Sequence, residues 1–418
     1  MMNFIRKYRR RLLLFLAVFG PATITAMADN DASGVATYSI AGATLGYPVL
    51  FILLIITVLL GITQEMGIRL ALVTRKGLGD LIRERFGVRV SLFIFACLFL
   101  ANMGTIIVDL AAVKTTSVIL HIPAIPAMIA LIIISFFFVT KGNYKINQNI
   151  MLVSCLFYLT YIISAFRANP HWVLAITNLV IPHGVAITPE YIRNYIIIGL
   201  GVLGTTVTPW GQFFISSFAF DKKIEAGRLK YSQFETYWGA FLTDFFSFFM
   251  IVATAATLYI HKIPLISGEQ AALAIKPFAG DLAGTLFAIG ILNAGFMGIV
   301  IVSLSTAYAF AEFFGLSGGL DTNFTKSKIF YIIFLSQLLI AGVFVLSPNV
   351  SLFKLVIASQ ALNAMMLPFI FYYLLKLTNS HEVMGAHTNS VFQRRFGVVA
   401  VVVISIASLL ALIFTLIR

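Results

Sequence analysis

The sequence has 418 residues, of which 60% are hydrophobic and only 11% are charged, and its formal net charge is +13. A soluble domain does not need so much apolar surface, so the composition indicates a protein that crosses a membrane many times. The basic residues lie in short loops between apolar runs, where they are topology signals and not a nucleic-acid surface. Cys97 and Cys155 lie inside apolar runs, which favours packing over a disulfide or a metal pair.

Apolar segments of spanning length number eleven, since a helix of about 20 residues crosses a bilayer. In chain order the predicted spans are 12–46 (interrupted), 48–73, 90–115, 118–140, 146–166, 195–220 (interrupted), 236–260, 282–312, 327–347, 351–376 and 397–417. Residues 167–194 carry prolines and aromatic residues and predict a short interfacial segment before the sixth span. The pattern predicts an all-α polytopic membrane protein with one transmembrane domain, residues 1–418.

Clusters of lysine and arginine predict how the chain is oriented. They precede the first span and follow the second, fourth, sixth, eighth and tenth, so an eleven-span count puts them all on one side. Cytoplasmic loops carry the excess of positive charge, so the N-terminus is predicted to be cytoplasmic and the C-terminus external. We expect a multi-pass protein of the cell (inner) membrane, surrounded by the lipid bilayer.

A polar stretch, residues 27–34, interrupts the first span. It includes Asp29, Asn30, Asp31 and Ser33 and would lie near the bilayer midplane, where such groups usually face the bundle interior or a wet cavity. One alternative is a polar hairpin between two separate spans. Residues 12–26 are short for a span, so one broken helix is favoured. An unwound helix exposes the backbone groups with which transporters build ion sites.

The sixth span has a second interruption, residues 204–212, with the sequence Gly-Thr-Thr-Val-Thr-Pro-Trp-Gly-Gln. Proline lacks an amide hydrogen and clashes with the preceding turn. A lone proline is usually only a kink, but three hydroxyls, an indole and an amide accompany this one. The first and sixth spans correspond in two five-span halves, 1–166 and 195–376, with 397–417 as an extra helix. Paired broken helices at matching positions indicate a transporter.

The sequence around the first break resembles the NRAMP family of divalent-metal transporters. Residues 31–34, with 41–47 (Ala-Gly-Ala-Thr-Leu-Gly-Tyr), are similar to the family's DPGN motif and the AGAxxGY downstream of it. Residues 64–86 are similar to its second span and cytoplasmic loop, and 359–360 and 367–369 fit its tenth span. The resemblance implies a LeuT-like fold with a 5+5 inverted repeat, broken helices 1 and 6, and eleven transmembrane helices.

The metal-binding motifs depart from this family pattern. The family's DPGN supplies an Asp and an Asn to the metal, and here Asp31 holds the first place while Gly34 stands at the second. The MPHN motif supplies a methionine sulfur where Thr208 stands, and residues 210–211 replace its His and Asn. This pattern resembles the divergent branch of NRAMP-related magnesium transporters. The resemblance implies a metal site at Asp31, Thr205 (through its carbonyl), Thr208, Gln360, Gly34 and Gly211.

The donor atoms of these positions favour a hard cation. A thioether is a soft ligand that selects softer transition metals. Without it the predicted donors are a carboxylate, a backbone carbonyl, a hydroxyl and an amide, all of them oxygen ligands, which Mg²⁺ prefers while it keeps several waters. We expect Gly34 and Gly211 to leave room for a partly hydrated ion. Mn²⁺ also accepts oxygen ligands and should be tolerated.

Other polar residues are predicted in an outer shell or along the ion pathway. Asp29 and Asn30 would form an outer shell or solvate the external mouth, and the sequence prefers neither interpretation. Trp210 is more often a packing or gating residue, because indole only donates and cannot bind a metal. Asn363, in the tenth span, is assigned to the same outer group.

Acidic residues in further spans are proton-relay candidates or structural groups. Asp109, in the third span, either lines the pathway or forms a structural pair with a partner such as Lys114. Asp244 is a weaker candidate for the pathway, and Glu65 and Glu312 are interpreted as end groups of their spans.

The predicted function is transport of divalent metal cations by alternating access, with Mg²⁺ preferred and Mn²⁺ tolerated. The histidine of MPHN is absent, so weak or no proton coupling is expected. Alternatives are a proton-coupled Mn²⁺/Fe²⁺ importer of the ordinary NRAMP type, or an organic-cation or amino-acid symporter on the same fold. An intramembrane aspartyl protease is disfavoured by the motif context. We expect no enzymatic activity, no cofactor besides the transported ion, no nucleic-acid partner, and a monomer.

Overall fold

The computed structural model describes residues 15–263, 265, 271–322, 324–347 and 352–416. Every regular element in these ranges is helical, which confirms the all-α class. The α-helices are α1 (Pro21–Ala28), α2 (Ala32–Leu45), α3 (Leu50–Thr74), α4 (Leu78–Phe86), α5 (Val88–Ile119), α6 (Ala124–Lys141), α7 (Tyr144–Ser154), α8 (Leu159–Arg167), α9 (Trp172–Asn178), α10 (Pro189–Thr206), α11 (Pro209–Asp221), α12 (Leu229–Thr254), α13 (Ala271–Ala279), α14 (Asp281–Phe314), α15 (Lys328–Leu346), α16 (Leu352–Thr378), α17 (His381–Met384) and α18 (Val391–Leu416).

Ten helical stretches of the described chain are long and apolar enough to cross a membrane. The broken first segment is not among them, because α1 has 8 residues and α2 has 14. The total of eleven spans, the two five-span halves and the orientation of the termini therefore stay predictions. The outermost residues of the predicted first, tenth and eleventh spans lie outside the described residues.

Two predicted boundaries are wrong by several residues. Helix α5 continues to Ile119, and the next helix begins only at Ala124, after a proline. Helix α10 begins at Pro189, inside the segment predicted to be interfacial. Thr188 caps it by accepting a hydrogen bond from the Tyr191 amide at 3.1 Å, and proline suits the first helical position because that amide needs no partner.

The two broken segments lie in the interior of the bundle. All residues of α1 are buried, as are nearly all residues of α2 and α11. By contrast, only 22% of the apolar window is buried in α6 and in α18, so these helices present apolar side chains outward. The polar breaks are therefore kept away from the surface that faces lipid, as the cost of polar groups in hydrocarbon requires.

Two acidic residues that the sequence suggested as end groups are buried and bonded between helices, although Glu312 does lie in the last turn of α14. Glu65 is 1% exposed and forms an ion pair with Arg69 at 2.8 Å. It also accepts hydrogen bonds from two glutamine amides, one on α12 and one on α18. Glu312 accepts from the Gly79 amide at 2.9 Å and from the Ser217 hydroxyl at 2.5 Å. Both carboxylates join helices that are distant in sequence.

Candidate functional site

The first break ends in a capped helix. Helix α1 stops at Ala28, and Asp31 is the N-cap of α2. Its Oδ1 accepts hydrogen bonds from the Gly34 amide at 2.6 Å and from the Ser33 hydroxyl at 2.7 Å. The first amides of a helix have no partner within it, and a capping aspartate satisfies one of them. This local chemistry explains why the helix restarts at this point.

The second break also ends in a helix that restarts at a capping residue. Thr208 is the N-cap of α11 and accepts a hydrogen bond from the Gly211 amide at 3.1 Å. Pro209 occupies the first helical position. It has no amide hydrogen to donate to the Thr205 carbonyl, one turn earlier. That carbonyl is therefore left without its helical partner, as a backbone metal ligand requires.

The two breaks meet inside the protein. The Thr208 hydroxyl donates to Asp29 Oδ1 at 2.9 Å, which joins the end of α1 to the start of α11. A Cβ atom built on Gly34 would lie 3.2 Å from the Thr205 Oγ1 atom. Asp29, Thr205 and Thr208 are all buried. The structure thus brings together the first-span and sixth-span residues that the sequence predicted.

Asp109 lies next to Asp31 at the N-terminus of α2. Its Oδ1 accepts a hydrogen bond from the Ser33 amide at 3.0 Å, and its Oδ2 is buried without a partner. The proposed pair with Lys114 does not form, because the Lys114 ammonium donates to the Val345 carbonyl at 3.0 Å. The positive end of a helix dipole favours two carboxylates here. Of the two interpretations of Asp109, the structure favours a place in the site.

The tenth-span amides approach the same point from α16. Gln360 Nε2 donates to the Ser33 hydroxyl at 2.8 Å, while Gln360 Oε1 accepts from Asn363 Nδ2 at 3.1 Å. Both side chains are buried. The expectation that Gln360 offers its oxygen to the ion is wrong for this conformation, because its amide nitrogen faces Ser33 beside Asp31 while its oxygen faces Asn363. Gln360 would have to rotate its amide group to become a ligand.

The expected free space at the two glycines is also absent in this conformation. A Cβ atom on Gly34 would overlap the Asp29 carbonyl oxygen, and one on Gly211 would lie 2.7 Å from the Thr208 hydroxyl. At Gly211 the reason is the capping geometry, since the N-cap side chain of Thr208 folds over the first turn of α11. At Gly34 the reason is the backbone carbonyl of Asp29, the C-cap residue of α1. The glycines allow this close packing and do not leave room for a hydrated ion.

Asn30 and Trp210 make structural contacts in the interior of the bundle. Asn30 donates to the Thr243 carbonyl at 2.9 Å and accepts from the Ser247 hydroxyl at 2.7 Å, which attaches the first break to α12. It is fully buried, so the interpretation of Asn30 as part of an external mouth is wrong. The Trp210 side chain is also fully buried and packs edge-on against Phe214, with ring centroids 6.5 Å apart. This agrees with a packing role.

Sequence reasoning gave no site role to Ser33 or Gly298, and it ranked Asp244 only as a weaker pathway candidate. Ser33 contacts Asp31 and the Gln360 amide with its hydroxyl, and its position just after a capping aspartate was the available signal. Gly298, on α14, has no side chain where a Cβ would overlap Asp109. Asp244, on α12, is buried and interacts electrostatically with Asp29. Nothing near Gly298 or Asp244 in the sequence reveals these contacts.

Within the described residues no group of three or more His, Cys, Asp and Glu side chains is arranged to hold a metal ion.

Residues 22–414 match the family model described as natural resistance-associated macrophage protein-like, Nramp. The chain belongs to the Nramp family. This Nramp chain is 25% identical over 400 residues to the divalent metal cation transporter MntH of Verminephrobacter eiseniae, over 92% of this chain and 86% of the relative. It is 23% identical over 430 residues to MntH of Staphylococcus saprophyticus, over 98% of this chain and 94% of the relative.

Solved structures confirm the LeuT-like fold of this Nramp chain. It is similar to the Eremococcus coleocola manganese transporter in complex with an aromatic bis-isothiourea substituted compound, with a TM-score of 0.77 and 20% identity, covering 95% of this chain and 86% of that one. It is also similar to MhsT in complex with L-phenylalanine, with a TM-score of 0.60 and 12% identity, covering 94% of this chain and 98% of that one.

Proposed function

We propose that this protein transports divalent metal cations by alternating access, with Mg²⁺ preferred, Mn²⁺ tolerated, and weak or no proton coupling. The supporting observation is that two capped helix breaks meet, with the Thr208 hydroxyl bonded to Asp29 and with Asp31 capping α2. Pro209 leaves the Thr205 carbonyl without its helical partner in the second break. Transporters bind ions at such discontinuous helices. The Nramp relatives named as divalent metal cation transporters support the substrate class.

The preference for Mg²⁺ is supported by the chemistry of the assigned donors. Carboxylate, carbonyl and hydroxyl oxygens are hard ligands, and Thr208 stands where the resemblance to the family's MPHN motif implies a soft methionine ligand. One observation favours the ordinary proton-coupled Mn²⁺/Fe²⁺ importer instead. Asp109 lies beside Asp31 with an unpartnered oxygen, which makes it a candidate proton acceptor.

The proposed Mg²⁺ transporter and the proton-coupled Mn²⁺/Fe²⁺ importer are distinguished by measuring metal flux into proteoliposomes that contain a pH-sensitive dye. Mg²⁺, Mn²⁺, Ca²⁺ and Fe²⁺ are offered in turn, with liposomes carrying the Asp31→Asn variant as the control. We expect entry of Mg²⁺ and Mn²⁺ without metal-dependent acidification. Proton influx in fixed proportion to Mn²⁺ or Fe²⁺, with Mg²⁺ excluded, would establish the ordinary importer. Absence of all divalent flux would overturn the proposal.

Thr208→Met is expected to move selectivity toward softer metals. The thioether stabilises Cd²⁺ and contributes little to Mg²⁺ binding, so Cd²⁺ affinity should rise about tenfold relative to that of Mg²⁺, or about 1.4 kcal/mol. Loss of the helix cap should lower stability by about 1 kcal/mol. Calorimetry of Cd²⁺ binding, with Mg²⁺ as the competitor, measures the change in affinity.

Thr208→Val is the matched control for this prediction, because it also loses the hydrogen bonds to Asp29 and Gly211 but adds no sulfur. Equal Cd²⁺ affinities of the two variants would show that sulfur at this position does not control selectivity. Gly34→Asn is unsuitable as a companion change, since its Cβ would overlap the Asp29 carbonyl.

A further inference from the structure

We propose that Lys222 and Glu235 form a clamp on the first turn of α1 that holds the protein closed on the side of its N-terminus, the predicted cytoplasmic side. Release of the clamp would let α1 move away from α11 and α12. The inference rests on the alternating-access function proposed above.

The clamp binds both kinds of backbone group where the chain enters α1, over residues 18–23. The Lys222 ammonium donates to the carbonyls of Val18 and Phe19, at 3.0 and 2.5 Å. Glu235 Oε1 accepts from the amides of Gly20 and Thr23, at 2.7 and 3.0 Å. These amides begin a helix and have no partner within it, and the helix dipole favours a carboxylate there. The Lys222 ammonium thus contacts carbonyl oxygens, and the Glu235 carboxylate contacts amide hydrogens.

The backbone conformation at Gly20 and the side chain of Gln148 hold the chain in the geometry that the clamp binds. Gly20 has φ of +139°, a conformation that other residues rarely adopt. The side chain of Gln148 fills the space beside Gly20, 2.5 Å from where a Cβ would stand, and its amide donates to the Phe19 carbonyl at 3.2 Å. Helix α7 therefore supports the same turn from another side.

The clamp connects three elements that meet at the candidate site. Lys222 directly follows α11, whose other end carries the cap Thr208, and Glu235 belongs to α12, whose Ser247 contacts Asn30. Glu235 is the charged group that interacts with Lys222. Burial lowers the pKa of Lys222, and the neighbouring Glu235 opposes that shift.

Opening on this side requires the four hydrogen bonds to break together. Hydrogen bonds to charged groups are stronger than neutral ones, and a buried charge that loses its partners is especially unfavourable. The clamp therefore favours the closed conformation, and neutral substitutions should raise the population that is open on this side.

Cysteine accessibility tests the clamp. Cys97 and Cys155 are first replaced with serine, and Thr25→Cys is introduced as a reporter. Thr25 is fully buried on α1 and faces α11, with its Cγ2 atom 3.7 Å from a Cβ built on Gly211. A water-soluble maleimide is applied from the cytoplasmic side. Lys222→Met should raise the rate of Thr25→Cys labelling about tenfold, and Glu235→Gln should raise it less because its amide oxygen can still accept.

Lys223→Met is the matched control, because Lys223 is the adjacent lysine and its side chain is exposed. Ser303→Cys, fully buried on α14, replaces the reporter in a second series that detects general loosening. Equal Thr25→Cys labelling in the Lys222→Met, Glu235→Gln and Lys223→Met proteins would overturn the clamp, as would a parallel rise at Ser303→Cys. If Lys222→Met does not fold, Glu235→Gln alone decides.

Labelling is measured without metal flux, so the two proposals can fail separately. Faster labelling in a protein that carries no divalent cation would support the clamp and reject the transport function. Divalent flux with unchanged labelling would support transport and reject the clamp.

Discussion

Replacing Asp31 with asparagine is expected to reduce divalent-metal flux at least about 100-fold, which corresponds to about 2.8 kcal/mol. Asparagine caps a helix as well as aspartate does, so α2 should still begin at residue 32. The substitution removes the negative charge from the point where the two breaks meet. Uptake of Mg²⁺ and Mn²⁺ into proteoliposomes, together with calorimetric binding, measures the loss.

Two further variants make this result interpretable. Asp31→Ala should abolish flux as well but also lower stability by about 1 kcal/mol, because it removes the cap. Asp80→Asn makes the same chemical change on α4, where the carboxylate pairs with Arg83 and is 27% exposed, and should transport normally. Flux near the wild-type level in the Asp31→Asn protein would remove Asp31 from the ion site.

Gly298→Ala is expected to reduce flux and metal affinity at least about tenfold, or about 1.4 kcal/mol. The added Cβ would overlap Asp109 Oδ2 and lie 2.8 Å from the Asp31 Cβ, so both carboxylates must move. Overpacking of this kind also costs about 1–3 kcal/mol of stability. Binding of Mn²⁺ by calorimetry, with thermal unfolding alongside, measures the two effects separately.

Gly342→Ala is the matched control for this prediction. It also adds one methyl group to a long apolar helix, but its Cβ would lie 3.5 Å from the Ile132 side chain, which is an ordinary contact. If both alanine variants bound and transported metal equally well, the carboxylates of Asp31 and Asp109 would not have to lie as close as the structure places them.

The helix breaks were predictable because their causes are local. Asp31 and Thr208 are capping residues, and Pro209 cannot donate a backbone hydrogen bond. Each of these effects acts within four residues of the chain, so it is visible in one sequence. The resemblance to the NRAMP family came from continuous stretches of the sequence, residues 31–47 and 64–86 among them, and it supplied the fold.

The residues that contact the first break from other helices were not predictable, because no fixed sequence separation relates them to it. Asp109 accepts a hydrogen bond from the Ser33 amide although the two residues are 76 positions apart. Only the packing of α14 against Asp31 and Asp109 shows that a glycine is needed at position 298. The expectation of free space at Gly34 failed because the sequence shows which side chain is missing and not which atoms fill its place.

The sequence by itself determined the membrane class, the all-α fold, the positions of the two breaks and the membership of a metal-transporter family. Hydrophobicity, capping and proline chemistry are properties of short segments, so they need no knowledge of the fold. Only the tertiary structure decided which carboxylates face each other, which way the Gln360 amide points, and that Lys222 and Glu235 hold α1. These depend on distances between helices that are far apart in the chain, and packing sets such distances for the whole bundle at once.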